Sequence, residues 1–352
     1  MTGKKWFILA MGLILGVLAL CAGLTVLIDP YFHYHAPLKG LAYQLSDERQ
    51  RYINDGISKR FEYDAILTGT SMMENARTST FDALFGTHSV KVPYEGSSLK
   101  ETDQNLRRAF AAKPDTDIVF RSLDYFILIR DKDEQLYPEE LYPDYLYDES
   151  LLNDAPYLFN KTVLLENTLP VIFATLRGES PTDFDQYSLM DESLFGMPLP
   201  EGGFAPPRED CRGASPELLE KVEGNVLQNV RSTVEAHPET DFYFVLSPYS
   251  LLYWNKLRAA GTVDEHLDVE EKTAELLVDL ENVHLFSFYD CPEIIGRLEA
   301  YMDECHYNAD VLDMIFEHMA AGRHRLTPEN YRDTFLRARN LFKEGDLAAL
   351  VQ

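Results

Sequence analysis

Basic residues are scarce in this sequence. Lys and Arg total 32 against 58 Asp and Glu, which gives a formal net charge of −26 at pH 7. Because phosphate backbones are bound by basic surfaces, this deficit argues against a nucleic-acid partner. Cysteine is also scarce, and Cys291 and Cys305 are the closest couple, although the sequence does not show whether they bond. With 45% hydrophobic residues among 352, the chain is expected to form one large domain or two small ones.

Charge is absent altogether from residues 6–28. A helix over these positions is long enough to span a hydrocarbon core of roughly 30 Å. Two lysines precede the segment and Asp29 follows it, so the positive-inside rule predicts a cytoplasmic N-terminus. A cleaved signal peptide would have a shorter apolar core, and a lipoprotein signal would need a small residue before Cys21. The sequence predicts a cytoplasmic stub and uncleaved single-pass anchor in the cell membrane over 1–28, with an extracytoplasmic domain over 29–352.

Five short apolar runs predict buried strands. They are Ala65 to Leu67, Val90 to Val92, Ile118 to Phe120, Phe242 to Leu246 and Val283 to Phe288. Most are continuous rather than alternating, as in strands that are covered on both faces. Helical patterns lie between several of them, which predicts an α/β fold with a mostly parallel, doubly wound sheet. Such sheets place their sites at the carboxyl ends of the strands.

Start signals predict where several helices begin. Ser98-x-x-Glu101 is a capping box that opens a helix toward Ala112. Ser215-Pro216 is an N-cap followed by a first-turn proline. A third helix is predicted around 267–280, and Thr327-Pro328 is predicted to start a C-terminal one.

Residues 131–214 interrupt the alternation and are too long to be a plain loop. We interpret them as an insertion or cap within the extracytoplasmic domain. The segment opens with an acidic stretch that holds four tyrosines. These tyrosines either stack on sugar rings or pack the insertion onto the core, and both interpretations are open.

The stretch YDAILTGTSMMENAR carries Ser71 just after the first predicted strand. A serine hydroxyl is a weak nucleophile unless an imidazole, usually oriented by a carboxylate, takes its proton. In YMDECHYN, Asp303 and His306 are three residues apart, so the carboxylate can hold the imidazole tautomer while the other nitrogen faces a serine. Asn308 is predicted to cap the following helix, and Cys305 is predicted to be structural.

These paired elements resemble the SGNH (GDSL-type) hydrolase superfamily over most of residues 60–320. The resemblance implies a flavodoxin-like three-layer α/β/α sandwich. It also implies that Ser71 is the nucleophile, with His306 as general base and Asp303 as its orienting acid. Gly96, in KVPYEGSSLKE, matches the second block, whose glycine N–H joins that of Ser71 in the oxyanion hole.

The third block departs from the family's pattern. The family has a Gly-x-Asn-Asp whose asparagine donates to the oxyanion, whereas this chain has FRSLDYFIL, with Asp124 at the asparagine position. A carboxylate would oppose an oxyanion, and one such donor is worth ~10² to 10³ in rate. Either Asp124 points elsewhere, or the hole uses only the backbone N–H groups of Ser71 and Gly96.

Other residues are candidates for binding. In SPYSLLYWN, after the fourth predicted strand, the side chains of Tyr249, Ser250 and Trp254 either line an acceptor groove or pack in the core. Together with Asp124 they are the candidate substrate-binding residues.

The histidine pair in DPYFHYHAP, His33 and His35, has no clear third and fourth ligand. It is therefore interpreted as part of a juxtamembrane segment that docks on the domain. The sequence predicts neither a bound metal nor a cofactor.

An N-terminal anchor, an outward-facing domain and an altered third block are together similar to accessory proteins of surface-polymer acylation. These include the lipoteichoic acid D-alanine transfer protein and the alginate O-acetylation proteins, which work beside a multipass membrane-bound O-acyltransferase. The resemblance implies a membrane-anchored serine esterase or O-acyltransferase for acyl esters of a cell-surface or exported glycan, without specifying hydrolysis or transfer. The alternative is a catalytically silent SGNH-fold subunit that binds glycan or acts as a scaffold.

Overall fold

The computed structural model describes residues 3–138, 141–208 and 210–352. Two residues of the predicted cytoplasmic stub, Met1 and Thr2, lie outside the described residues, as do Glu139, Glu140 and Glu209 of the predicted insertion. The chain divides into two compact units. One is Met1–Glu62 with Glu139–Asp183, and the other is Tyr63–Pro138 with Phe184–Gln352.

The strands and helices follow one another along the chain. The strands are β1 (Ala65–Gly69), β2 (Ser89–Pro93), β3 (Ile118–Leu123), β4 (Asp241–Leu246), β5 (Val283–Phe286) and β6 (Arg325–Leu326). The α-helices are α1 (Gly3–Ile28), α2 (Gln50–Arg60), α3 (Thr78–Phe85), α4 (Leu99–Ala112), α5 (Tyr125–Leu128), α6 (Asp144–Tyr147), α7 (Ala155–Leu158), α8 (Leu169–Leu176), α9 (Pro216–Val226), α10 (Ser232–Ala236), α11 (Leu251–Ala260), α12 (Val263–Leu277), α13 (Pro292–Ile295), α14 (Ala309–Ala320) and α15 (Tyr331–Glu344). π-helical segments at Val163–Thr168 and Leu227–Arg231 precede α8 and α10.

The second unit is built on a sheet with strand order β2-β1-β3-β4-β5-β6. Neighbours from β2 to β5 pair in parallel, and β6 pairs antiparallel to β5. The first five strands have the flavodoxin-like order of a doubly wound fold. The predicted α/β class and its five strands are therefore confirmed. The sixth strand has only two residues, too few to produce a recognisable pattern.

Both faces of this sheet are covered by helices. Phe120 on β3 contacts Phe81 of α3 and Phe316 of α14 through edge-on ring contacts. Phe120 is in register with Tyr243 of β4, so the preceding Phe242 points to the opposite face, where its ring lies 6.1 Å from that of Phe110 of α4. The unit is thus a three-layer sandwich, which explains why most of its strands contain continuous apolar runs.

Two predicted caps form as expected, and one predicted helix start is wrong. The hydroxyl of Ser98 accepts from the N–H of Glu101 at 3.3 Å, and α4 ends at Ala112. Ser215 likewise caps α9 through the N–H of Leu218. The last helix begins at Tyr331 rather than at Thr327, because the side chain of Asn330 accepts from the N–H of Thr327 at 2.8 Å and closes a turn first. The third predicted helix, α12, starts and ends a few residues earlier than 267–280.

The first unit contains the apolar helix α1, whose mean hydropathy reaches 2.6. Its length and composition are compatible with a single-pass membrane anchor or with a signal sequence. At its end the carboxylate of Asp29 accepts from the backbone N–H groups of His33, Tyr34 and His35 and from the Tyr157 hydroxyl. The segment after α1 is therefore held in a tight turn.

The two histidines of that turn have separate partners. The Nε2 atom of His33 lies 3.3 Å from Asp154, whereas the ring of His35 bonds to the carbonyls of Val26 and Ala36. The two rings thus bond to different groups.

The end of β1 requires glycine at position 69. Gly69 has φ +148°, and a Cβ atom there would lie 2.3 Å from the Ser122 hydroxyl oxygen and 2.7 Å from Cγ of Met73. We expect Gly69→Ala to lower the free energy of unfolding by about 3 kcal/mol, from backbone strain and overpacking together.

Gly86 offers the matched control for this prediction. It has φ +73° at the end of α3, with open space where a Cβ would stand, so Gly86→Ala should lower the free energy of unfolding by only about 1 kcal/mol. Urea unfolding of both variants measures the difference. Equal losses would show that the close approach at Gly69 is not restrictive.

Candidate active site

Ser71 stands at the carboxyl end of β1, on a single 3₁₀ turn that spans Ser71–Met73. The hydroxyl of Thr70 caps this turn by accepting from the N–H of Met72. Because the chain reverses immediately after a buried parallel strand, the serine side chain is presented at the sheet edge where such folds bind ligands. Its Oγ atom lies 2.9 Å from Nε2 of His306.

The histidine is held by the loop that follows β5 and α13. The Nδ1 atom of His306 lies 2.8 Å from one carboxylate oxygen of Asp303. The other oxygen accepts from the backbone N–H groups of Cys305 and His306, each at 2.8 Å. Asn308 caps α14 by accepting from the N–H of Val311, as expected. The structure therefore brings Ser71, His306 and Asp303 into one hydrogen-bonded chain.

The electrostatics of this hydrogen-bonded series favour an ionised Asp303 beside a basic His306 imidazole. Burial works against the charge of Asp303, but hydrogen bonds from the His306 ring and from the two loop amides outweigh it and lower the pKa of Asp303 to about 2. The hydrogen bond to Asp303 raises the pKa of His306 above its ordinary value, against partial burial, and the charge of Asp124 acts in the same direction. His306 can therefore accept a proton from a hydroxyl and hold it.

A cavity of about 340 Å³ opens over these residues. Ser71, His306 and Asp303 all line it. Much of the remaining wall is apolar and comes from Met72, Phe126, Ile127 and Leu136. The arrangement places a potential nucleophile and its base beside an apolar chamber of small-ligand size.

Gly96 lines the same cavity, on the turn after β2. The turn is closed by a 3.1 Å hydrogen bond from the N–H of Ser97 to the carbonyl of Tyr94. Gly96 has φ +60°, which favours glycine at the third position of such a turn. The glycine is thus required by the backbone conformation at the cavity wall.

Asp124 follows β3 and is almost fully buried at the cavity. Its carboxylate accepts from the hydroxyls of Thr70 and Ser247, both at short range, and from that of Ser122 at 3.4 Å. Burial raises the pKa of Asp124, against these hydrogen bonds and the charge of His306. Asp124 is thus bound to hydroxyls at the ends of three adjacent strands. Sequence reasoning missed these hydroxyl partners, because serine and threonine at strand ends are too common to signal a carboxylate cradle.

The three candidates after β4 have different surroundings. Tyr249 lines the cavity, and its hydroxyl accepts from the N–H of Tyr125 at 3.1 Å. Ser250 is fully buried, caps α11 and donates to the carbonyl of Glu304. Trp254 is fully buried and stacks on Phe342 with ring centroids 3.9 Å apart.

Neither Ser250 nor Trp254 is among the residues that line the cavity. The expectation that these two side chains line an acceptor groove is therefore corrected to capping and core packing. They are buried because the N-cap and the first turn of α11 pack in the core.

The cysteines are free thiols in the described residues, so Cys291 and Cys305 form no disulfide there. Cys305 lines the cavity next to His306. Burial raises the pKa of its thiol, with the carboxylates of Asp303 and Glu304 acting in the same direction. Because the thiolate is the reactive form of cysteine, this environment makes Cys305 a poor nucleophile.

No known protein family matches the sequence, and no curated protein matches it. Among solved structures, the chain is similar to one described as "a putative platelet activating factor from Streptococcus pneumonia". The two chains are 12% identical, with a TM-score of 0.39, over 82% of this chain and 92% of that chain. A similarity this low establishes neither a shared family nor a shared activity.

Proposed function

We propose that this chain is an SGNH-type serine esterase or O-acyltransferase that acts on acyl esters of a cell-surface or exported glycan. The observation that carries the proposal is the hydrogen-bonded chain from Ser71 Oγ to His306 Nε2 at 2.9 Å and from His306 Nδ1 to Asp303 at 2.8 Å. Its members belong to elements far apart in sequence and meet at the carboxyl edge of a parallel sheet. Nucleophile, base and orienting acid in hydrogen-bond contact are the arrangement that acyl transfer requires.

The proposed reaction has two stages. Ser71 Oγ attacks the acyl carbonyl while His306 takes its proton, and the protonated ring then donates to the departing alcohol oxygen. Water or a glycan hydroxyl next attacks the acyl-serine and loses its proton to His306. His306 then returns this proton to Ser71 Oγ as the acyl–serine bond breaks, which releases the acyl product and regenerates both residues. Asp303 keeps its negative charge throughout and stabilises the imidazolium.

The oxyanion is assigned to backbone N–H groups rather than to Asp124. The carboxylate of Asp124 accepts from Thr70 and Ser247, so it has no proton to donate in its ionised form. Ser71 and Gly96 both line the cavity, and their backbone amides are the donors in this proposal. Asp124 instead anchors the strand ends beneath the nucleophile.

The chamber supports a small acyl group as the part of the substrate that enters. Its volume of about 340 Å³ is near the lower end of ligand pockets and is too small for a polymer. The apolar side chains Phe126, Ile127 and Leu136 suit a hydrocarbon portion. In this proposal the glycan remains outside, and only its ester linkage reaches Ser71.

The membrane arrangement is part of the same proposal. Helix α1 would be an uncleaved anchor with its lysines in the cytoplasm, so that residues 29–352 face outward and 131–214 form the insertion. A multipass membrane-bound O-acyltransferase is the proposed partner, since it could supply the acyl group across the bilayer. Within the described residues this arrangement depends on the length and hydropathy of α1.

A catalytically silent glycan-binding or scaffold subunit is the second candidate. The observation that favours it is Asp124, which replaces the third oxyanion donor of the resembled family with a carboxylate. This candidate predicts a folded protein that binds glycan without ester turnover. Glycan binding that persists after the loss of both Ser71 and His306, with no turnover, would support it.

A serine-directed fluorophosphonate probe tests the leading proposal. We expect the purified full-length protein to form one covalent adduct, which peptide mass spectrometry assigns to Ser71, because His306 activates this hydroxyl. Heat-denatured protein is the control and should not react. A folded protein that does not react, or that reacts at another serine, would contradict the proposal.

A further inference from the structure

Cys291, His318 and His324 form a cluster of metal-ligating side chains outside the candidate active site. One ligand atom of each residue lies within 4.8 Å of those of the other two. Cys291 immediately precedes α13, His318 is in the last turn of α14, and His324 lies just before β6. Three separate segments therefore converge near the edge where β5 and β6 pair.

One of these side chains has an unsatisfied polar atom. His318 is 7% exposed, and its Nδ1 atom is buried with no hydrogen-bond partner in the part of the chain that the structure describes. A buried ring nitrogen without a partner is unfavourable, because it has left water and gained nothing in exchange. A metal ion bonded to this nitrogen would remove that penalty.

The second histidine is oriented by a carboxylate. The Nδ1 atom of His324 lies 2.9 Å from Oδ1 of Asp290, which fixes the proton on Nδ1 and leaves Nε2 as an electron-pair donor. A carboxylate behind the imidazole is the usual outer-shell partner of a metal-binding histidine. His324 also adopts φ +62°, a left-handed conformation that is uncommon for a residue with a side chain.

The surroundings of the cluster are apolar and acidic. Cys291 is fully buried, and the ring of Phe288 lies 6.0 Å from that of His318 and 5.2 Å from that of His324. Burial and the nearby carboxylate of Glu293 raise the pKa of the Cys291 thiol to about 12.

We propose that Cys291, His318 and His324 bind a zinc ion. Thiolate and imidazole donors favour zinc over magnesium or calcium, which prefer oxygen. Zinc bonds of roughly 2.0 to 2.3 Å in a tetrahedron put neighbouring ligand atoms roughly 3.3 to 3.8 Å apart, so small side-chain rotations close the site. On binding, the Cys291 thiol releases its proton to solvent and becomes the thiolate ligand.

The proposed ion is structural rather than catalytic. It would connect the segment before α13 with the end of α14 and the turn before β6, and so bracket the loop that carries Asp303 and His306. The sequence alone indicates no metal site, because the ligands are spaced by 27 and 6 residues and match no short motif. Only the fold brings them together.

The test uses the full-length protein, purified without a polyhistidine tag and stripped with a chelator. We expect it to regain about one equivalent of zinc by elemental analysis, with a rise of at least about 5 °C in Tm. Cobalt in place of zinc should give a thiolate-to-cobalt charge-transfer band and the visible bands of tetrahedral cobalt. Cys291→Ser and His318→Gln should lose the metal, the Tm shift and these bands.

The matched controls are Cys211→Ser and His88→Gln, which remove a thiol and an exposed imidazole elsewhere. Both should bind metal like the unaltered chain. If the ligand variants do not fold, the cobalt spectrum of the unaltered protein decides alone, since a charge-transfer band requires a thiolate ligand. No bound zinc and no such band, or a band that persists in folded Cys291→Ser, would overturn the assignment. Neither readout depends on ester turnover.

Discussion

Replacing Ser71 by alanine is expected to lower kcat/KM for a small acyl ester at least ~10³-fold, because Ser71 Oγ is the hydroxyl that contacts the base His306. The alanine variant keeps the fold, since Ser71 is on a one-turn segment whose cap comes from Thr70. Residual turnover would come from binding and from the backbone donors alone. Spectrophotometric hydrolysis of an activated ester, together with fluorophosphonate labelling, measures the loss.

Ser193→Ala is the control for this substitution. Ser193 is exposed and belongs to the same unit, but it does not line the cavity. Its replacement should leave turnover within about twofold and Tm unchanged. Turnover in Ser71→Ala above a tenth of the unaltered rate would exclude Ser71 as the nucleophile.

Replacing Asp303 by asparagine is expected to have the second-largest effect, a loss of ~10² to 10⁴ in kcat/KM. The charge that stabilises the imidazolium disappears, and the amide can present its NH₂ group to Nδ1 and favour the wrong tautomer. The same change should move the pH profile. Because the hydrogen bond that His306 donates to Asp303 is the largest cause of the raised pKa of His306, the pKa of the ring falls in the variant.

The direction of that shift follows from the role of the base. Only neutral His306 accepts the serine proton, so kcat/KM rises as pH increases through the pKa of His306. In the unaltered protein this rise should lie above the ordinary histidine pKa, and in Asp303→Asn it should lie at lower pH. Asp310→Asn is the control, because the exposed Asp310 pairs with Arg77 instead. A rise at the same pH in both variants would contradict the proposed hydrogen-bond role.

Local sequence patterns were sufficient to predict most of the strands and several helix caps. Most of the five longer strands contain a continuous apolar run, and such runs can be read from the sequence because both faces of the sheet are covered. The N-caps at Ser98 and Ser215 were also predictable, since a cap depends on residues three positions apart. The start of α15 was mispredicted because the side chain of Asn330 competes with the helix for the first turn.

The candidate site was likewise predictable only in part from the sequence. The motif around Ser71 and the three-residue spacing of Asp303 and His306 indicated hydroxyl and imidazole chemistry without any coordinates. Their 2.9 Å contact is a tertiary fact, because the two segments are 235 positions apart. The burial of Ser250 and Trp254 could not be predicted from the sequence either. A serine or an aromatic residue after a strand is equally compatible with a groove and with a core.

By itself, the sequence determined the α/β class, the apolar N-terminal helix and the acidic character, because each depends on composition or on neighbours within a few residues. The tertiary structure alone decided which hydroxyls hold Asp124, which residues line the chamber and that Cys291 meets His318 and His324. Those contacts join residues from separate elements. Their distances depend on how helices and strands pack, which no local pattern encodes.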